Sequence, residues 1–104
     1  MSKYRRLSYL LETYFNQDFP DMTGSVENTV REFAKELKTD ALLDTLLEIQ
    51  DIYARHPDKE ELTNFLEKKF RYCCYNFLYD FSDGRAWLEY VESIIKEELP
   101  KKRS

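Results

Sequence analysis

The sequence predicts an all-α fold, a single domain of about five helices, from three observations. The chain has 104 residues, which is enough for one hydrophobic core and too little for two. Hydrophobic residues make up 42% and charged residues 35% of it, a balance typical of folded proteins. It has only two glycines, whereas β-hairpin turns require residues that tolerate positive φ. We therefore expect residues 1–104 to form one helical domain.

Two amphipathic helices are predicted before residue 40. Apolar residues recur at helical spacing over about residues 4–15, which gives the first helix one buried stripe. Pro20 disfavours helical backbone at Phe19, so the chain must turn there. The second helix then covers about residues 26–38, with Ser25 or Gly24 as its N-cap. The aromatic corner between these helices is the stretch around which we expect the rest to pack.

The third helix is predicted over about residues 39–55, with Thr39 as its N-cap. Its broad apolar face favours a central position between two neighbours and consists of Leu42, Leu43, Leu46, Leu47, Ile49, Ile52 and Tyr53. Asp58 followed by Glu61 is the pattern of a capping box, so a fourth helix starts there and ends near residue 72.

An irregular aromatic connector is predicted before the last helix. Residues 71–81 are so rich in aromatic side chains that no helical period can be read. The fifth helix covers about residues 85–99 and buries Trp87, and Pro100 closes it. We expect the basic tail from about residue 100 to 104 to be mobile.

The charge distribution excludes several classes of partner. The net charge is −4, and since residues 1–6 carry +3 and residues 96–104 carry +2, the body between them carries −9. A body this acidic repels nucleic-acid backbones and attracts basic proteins. No apolar run approaches the length of a membrane span and no signal segment is visible. We expect a cytoplasmic protein that binds neither nucleic acid nor membranes.

No catalytic, cofactor or metal site is readable. Cys73 and Cys74 are adjacent, which provides no spaced ligand pattern and makes a structural disulfide improbable. His56 precedes a proline at a helix end with no partner for general-base chemistry nearby in the sequence. Interaction with the helix C-terminus is the favoured role for this histidine.

Two segments resemble a family of bacterial contact-dependent growth inhibition immunity proteins. The first is the run from Tyr14 to Phe19, followed by a helix whose residues 26–33 read Val-Glu-Asn-Thr-Val-Arg-Glu-Phe. The second is a cysteine-aromatic connector followed by a glycine and a tryptophan-leucine pair, here Gly84, Trp87 and Leu88. The sequence departs from the family pattern at Asn16, where histidine is common, and at Phe19, where tryptophan is common.

The resemblance implies a cytosolic antidote with no catalytic activity. Such proteins bind the C-terminal toxin domain of a large secreted or cell-surface protein, and the toxins are often nucleases. We therefore expect a monomer that binds its toxin one to one and blocks the active site or the substrate groove.

Three groups of residues are candidates for contacting this partner. Acidic residues on the third helix either mimic a nucleic-acid backbone or form a solvated helix face, and they are Asp40, Asp44, Glu48 and Asp51. Asp21 lies in the corner loop, where a side chain is free to contact a partner. The aromatic connector with its acidic end is either an interface or a core layer and supplies Tyr72, Tyr75, Tyr79, Asp80 and Asp83.

Other functional classes remain open at this point. The main alternative is an acidic adaptor or regulatory protein on a basic resident partner, which the absence of a neighbouring toxin gene would favour. An enzyme with an unfamiliar carboxylate site would show a cleft with shifted carboxylates. A nucleic-acid binder would depend on the terminal Lys and Arg residues, so deleting residues 101–104 would abolish its function.

Overall fold

The computed structural model describes residues 4–15, 25–70, 77–79 and 81–102. Five α-helices follow one another in these ranges: α1 (Arg5–Tyr9), α2 (Val26–Glu36), α3 (Thr39–Arg55), α4 (Lys59–Lys69) and α5 (Gly84–Glu98). A π-helical turn, Leu10–Tyr14, continues α1, and 3-10 turns cover Phe77–Tyr79 and Leu99–Lys102. No strand occurs in the described part of the chain. The all-α prediction is confirmed.

The starts of α2, α4 and α5 are each fixed by a side-chain cap. Ser25 Oγ accepts the backbone N–H of Asn28 at 3.0 Å, and Asp58 accepts that of Glu61 at 3.0 Å. Each cap satisfies one of the free donors at a helix start. The caps predicted at Ser25 and Asp58 are therefore confirmed.

The start of α3 differs from the prediction. Lys38 holds the N-cap position and makes no side-chain cap, while Thr39 is already the first helical residue. Thr39 was therefore wrongly predicted as the cap. Lys38 takes extended backbone geometry, so the geometry of the α2–α3 connection, rather than a hydroxyl acceptor, sets where α3 begins.

The last helix, α5, lies at the centre of the fold and packs against α2, α3 and α4. Its inward side is fully or almost fully buried and consists of Trp87, Leu88, Val91, Ile94 and Ile95. The rings of Phe15 and Phe77 lie against Trp87, with centroid distances of 6.3 Å and 5.5 Å. The prediction that the third helix is central was wrong. Two of the leucines counted in its apolar face, Leu43 and Leu47, are exposed.

Gly84 allows α4 and α5 to approach each other closely. Its N–H donates to Thr63 Oγ1 at 2.8 Å. A Cβ at this position would lie 2.8 Å from Leu66 Cδ1 and 3.1 Å from Thr63 Cα. Only glycine fits this contact without displacing buried atoms.

The end of the chain is held against the domain as far as Lys102. Lys102 Nζ donates to the backbone carbonyl of Lys35 at 2.8 Å, and Lys101 Nζ lies 3.3 Å from Glu98. Pro100 lies inside the 3-10 turn. Lys101 and Lys102 thus belong to the fold rather than to the mobile tail that the sequence predicts.

Two predicted regions fall largely outside the described residues. The turn of the aromatic corner, residues 16–24, is one of them. The other is the connector, of which the described part includes the 3-10 turn Phe77–Tyr79. The fourth helix ends at Lys69 with Phe70 as its C-cap, close to the predicted end.

Candidate interaction surface

The acidic residues predicted on the third helix do lie along one side of α3, and three of them bind the N-terminal helix. Asp44 lies 3.5 Å from the Arg6 guanidinium. Glu48 accepts the backbone N–H groups of Arg6 and Leu7 at 3.1 Å and 3.0 Å. Asp51 accepts the Tyr4 hydroxyl at 2.5 Å. One role of this row of carboxylates is therefore to hold α1 against α3.

Glu48 provides the cap that the N-terminal helix lacks in its own sequence. Tyr4 occupies the N-cap position of α1 and makes no side-chain cap. Glu48 instead satisfies two free N–H donors from another helix, where the helix dipole also favours a negative charge. Burial raises the pKa of Glu48, although the bonds from the two amides act in the opposite direction. The Glu48 carboxylate is thus used for contacts within the domain.

The Tyr4 hydroxyl is equally well integrated. Burial and the hydrogen bond to Asp51 raise the pKa of Tyr4 to about 12. Its ring packs edge-on against Phe65 at 5.7 Å, and Arg55 binds the same Asp51 carboxylate at 3.0 Å. Asp51 is thereby shared between α1 and the end of α3. This role of Asp51 was not predicted, since the lack of a cap in α1 does not reveal which distant carboxylates bind there.

The side of α3 that points away from the core combines apolar and acidic residues. Leu43 and Leu47 are 47% and 67% exposed, and Asp40 beside them is exposed as well. The Asp44 side chain is 54% exposed. We call this set, Asp40, Leu43, Asp44 and Leu47, the α3 outer face. Its members follow the spacing i, i+3, i+4 and i+7, which places them on one stripe of the helix.

The opposite flank of α3 is joined to α5 by polar contacts. Glu92 of α5 accepts hydrogen bonds from Gln50 and from the Tyr53 hydroxyl, the latter at 3.3 Å. Arg85 lies over the Tyr53 ring at 4.5 Å. Burial, followed by the nearby carboxylates of Glu92 and Glu89, raises the pKa of Tyr53. This flank of α3 already contacts α5. The surface of α3 that is available to a partner is therefore its outer face.

The connector candidates are only partly placed by the structure. Asp83 is the N-cap of α5 and accepts the N–H of Ala86 at 2.8 Å, a structural role that its sequence position before Gly84 could have indicated. Tyr79 ends the 3-10 turn Phe77–Tyr79. Asp21, Tyr72, Tyr75 and Asp80 lie outside the described residues, so their contact with a partner stays a prediction.

The described side chains do not assemble a metal centre. Within residues 4–15, 25–70, 77–79 and 81–102, no three His, Cys, Asp or Glu residues lie close enough to hold a metal ion. His56 stacks on Phe65 at 4.3 Å and lies 3.2 Å from Glu61, at the C-cap of α3. In the same ranges, no helix is long and apolar enough to cross a bilayer.

Comparisons with known proteins support a specific family. The family described as "CdiI immunity protein" matches residues 3–95, a stretch that contains α1 to α4 and most of α5. A chain in the crystal structure of a CdiA-CT/CdiI complex from Y. kristensenii 33638 has 30% sequence identity and a TM-score of 0.80. The match covers 90% of this chain and 99% of that chain. No curated protein matches the sequence.

Proposed function

Because the chain belongs to the CdiI immunity protein family, we propose that it binds and neutralises the C-terminal toxin domain of a contact-dependent growth inhibition system. The observation that carries this proposal is the family match over residues 3–95. A chain from a CdiA-CT/CdiI complex, 30% identical and matched over 99% of its length, supports it further. The chain acts as an inhibitor and not as a catalyst, in the cytoplasm, as a monomer that binds one toxin.

The charge of the domain supports a basic toxin, and we propose a nuclease. Residues 7–95 carry −9, and a nuclease must bind a polyanionic backbone in a positively charged groove. The negative domain is attracted to that groove over a distance of about 10 Å at moderate salt, which speeds the encounter. Once bound, the folded domain excludes substrate from the active site or the groove.

A rigid bundle suits this role. Helix α5 is anchored in the core through Trp87, and the α3 carboxylates hold the N-terminal helix in place. A surface presented by such a framework loses little conformational entropy on binding, which favours tight association.

The experiment is a growth test with the neighbouring toxin gene. The C-terminal domain of whichever large toxin gene lies immediately upstream is expressed in cells with and without this chain, and the two proteins are purified together. Rescue of growth with stable co-purification is expected. Toxicity that this chain does not relieve, without a complex, would refute the proposal and favour an adaptor for a basic resident protein.

A further inference from the structure

We propose that the α3 outer face, Asp40, Leu43, Asp44 and Leu47, is the surface on which the basic toxin domain binds. This inference rests on the proposed function and deepens it by naming the contact surface. The two leucines are the desolvated anchors at its centre. The two aspartates form a rim that pairs with Lys or Arg residues of the toxin.

The first support is apolar surface that the folded chain leaves exposed to solvent. Leu43 and Leu47 are among the four large hydrophobic side chains that are exposed in the described residues. They are one helical turn apart on the same side of α3, opposite the buried residues Leu42, Thr45 and Ile49. A single exposed leucine is ordinary, but two in contact reach on one stripe form a continuous apolar strip.

The second support is the rigidity of this strip. Its helix is fixed on one flank by the contacts of Glu48 and Asp51 with α1. On the other flank, it is fixed by the contact of Tyr53 with Glu92 of α5. The leucines therefore lie on a helix that does not have to rearrange when a partner binds. Anchors on such a framework are typical of the central residues of protein interfaces.

The third support is charge, which decides the kind of occupant. Residues 39–54 contain no Lys or Arg, and Arg6 lies beside Asp44 at 3.5 Å as a partial counter-charge. A second copy docked by this face would place acidic residues of one α3 against those of the other, which disfavours association. A basic domain with a small apolar depression is complementary to the same surface.

The test is a binding titration with the purified toxin domain and two variants of the full chain. Leu43→Gln/Leu47→Gln keeps two good helix formers at exposed positions, so the fold is retained. Asn64→Gln/Lys68→Gln is the matched control, since both residues are exposed on α4 at the same i, i+4 spacing. Circular dichroism and the melting temperature establish that both variants are folded.

We expect the Leu43→Gln/Leu47→Gln double variant to raise the Kd about 100-fold, because the loss of one interface anchor raises the Kd about tenfold or more. The Kd of the Asn64→Gln/Lys68→Gln variant should stay within about threefold of that of the original protein. A Leu43→Gln/Leu47→Gln variant that binds within about threefold, while the original chain binds tightly, would overturn the surface assignment and leave the proposed function standing. If the original chain itself does not bind the toxin, the proposed function fails.

Sedimentation of the free chain tests whether a second copy of the chain, rather than the toxin, covers the α3 outer face. A monomer in both the original protein and the Leu43→Gln/Leu47→Gln variant is expected. A dimer that Leu43→Gln/Leu47→Gln dissolves would show that a second copy covers this face, which would contradict the proposal.

Discussion

Glu48, in the middle of α3, accepts the backbone N–H of Leu7 at 3.0 Å, so one helix supplies the cap for the start of another. The residue is one of the acidic positions on the third helix that the sequence assigns to partner binding. Its geometry shows that a carboxylate on an acidic helix face can have a structural role within the domain. The surface left for a partner is then defined by what this docking leaves exposed.

Glu48→Ala should destabilise the domain by about 1–2 kcal/mol, the usual loss for a helix cap or a hydrogen-bonded carboxylate. The reason is that the N–H groups of Arg6 and Leu7 lose their acceptor. Denaturant unfolding measures the change, and Glu67→Ala, an exposed position on α4, should stay within about 0.5 kcal/mol. Equal effects of the two variants would show that the cap contributes nothing.

Trp87→Ala should lower the free energy of unfolding by about 3–5 kcal/mol, as expected for a large aromatic removed from a core. Trp87 is fully buried and touches the rings of Phe15 and Phe77. Trp87→Phe keeps a ring in this layer and should lose clearly less. A loss below about 1 kcal/mol for Trp87→Ala would contradict the central position of α5.

Gly84→Ala should cost about 1–3 kcal/mol, because the added methyl overpacks the contact between α4 and α5. The cost should fall when Leu66→Ala is combined with it, since Leu66 Cδ1 is the atom that a Cβ would meet at 2.8 Å. A double-mutant cycle by thermal or denaturant unfolding measures this coupling. Identical costs in both backgrounds would refute the steric account.

Arg31→Gln should shift acid unfolding to higher pH. Burial alone would raise the pKa of Glu98, but the bonds from Arg31 and Lys101 outweigh it and lower the pKa. A lowered carboxylate pKa stabilises the fold above the unfolded pKa, about 4.3, and this stability is lost as pH falls through the folded pKa. Without Arg31, that loss begins at higher pH.

A pH titration followed by circular dichroism checks the Arg31 prediction. The control is Glu89→Gln, which removes an ion pair of a carboxylate whose side chain is 56% exposed and leaves Arg85 over the Tyr53 ring. Exposed pairs contribute little, so the acid midpoint should barely move. An equal shift in both variants would show that burial of Glu98 is unimportant.

Asp40→Asn/Asp44→Asn should slow association with the toxin domain several-fold at low salt, with the difference shrinking as salt is added. Glu60→Gln/Glu67→Gln removes the same total charge from α4 and should have a smaller effect. Stopped-flow kinetics at several salt concentrations measures both. Asp44 contributes a 3.5 Å ion pair with Arg6 to the docking of α1, whereas Glu48 and Asp51 accept hydrogen bonds there, so replacing these aspartates should loosen α1 less than replacing Glu48 or Asp51. Identical rates would exclude the outer face from steering.

Local signals in the sequence were sufficient for most of the fold. The caps at Ser25 and Asp58 and the extent of α3 depend on residues close in the chain, so spacing and turn chemistry predicted them. The position of α5 at the centre was not predicted, because two apolar helices compete for the core. Which helix is buried depends on packing between distant segments.

The site was less predictable than the fold for the same reason. The charge pattern correctly identified an acidic side on α3, yet the contact between Glu48 and Leu7 joins residues 41 positions apart. Likewise, a helical period cannot distinguish Leu43 and Leu47 from the leucines that the core uses. Only the packed structure shows that these two are left exposed.

Calorimetric titration of the purified chain with the toxin domain identified by the growth test is the measurement that most directly checks whether the chain is an immunity protein. We expect one-to-one binding with a Kd in the nanomolar range or tighter, which corresponds to about −12 kcal/mol, and loss of toxin activity at the equivalence point. Two folded proteins that show no binding, or a complex in which the toxin stays fully active, would contradict the assignment as an immunity protein.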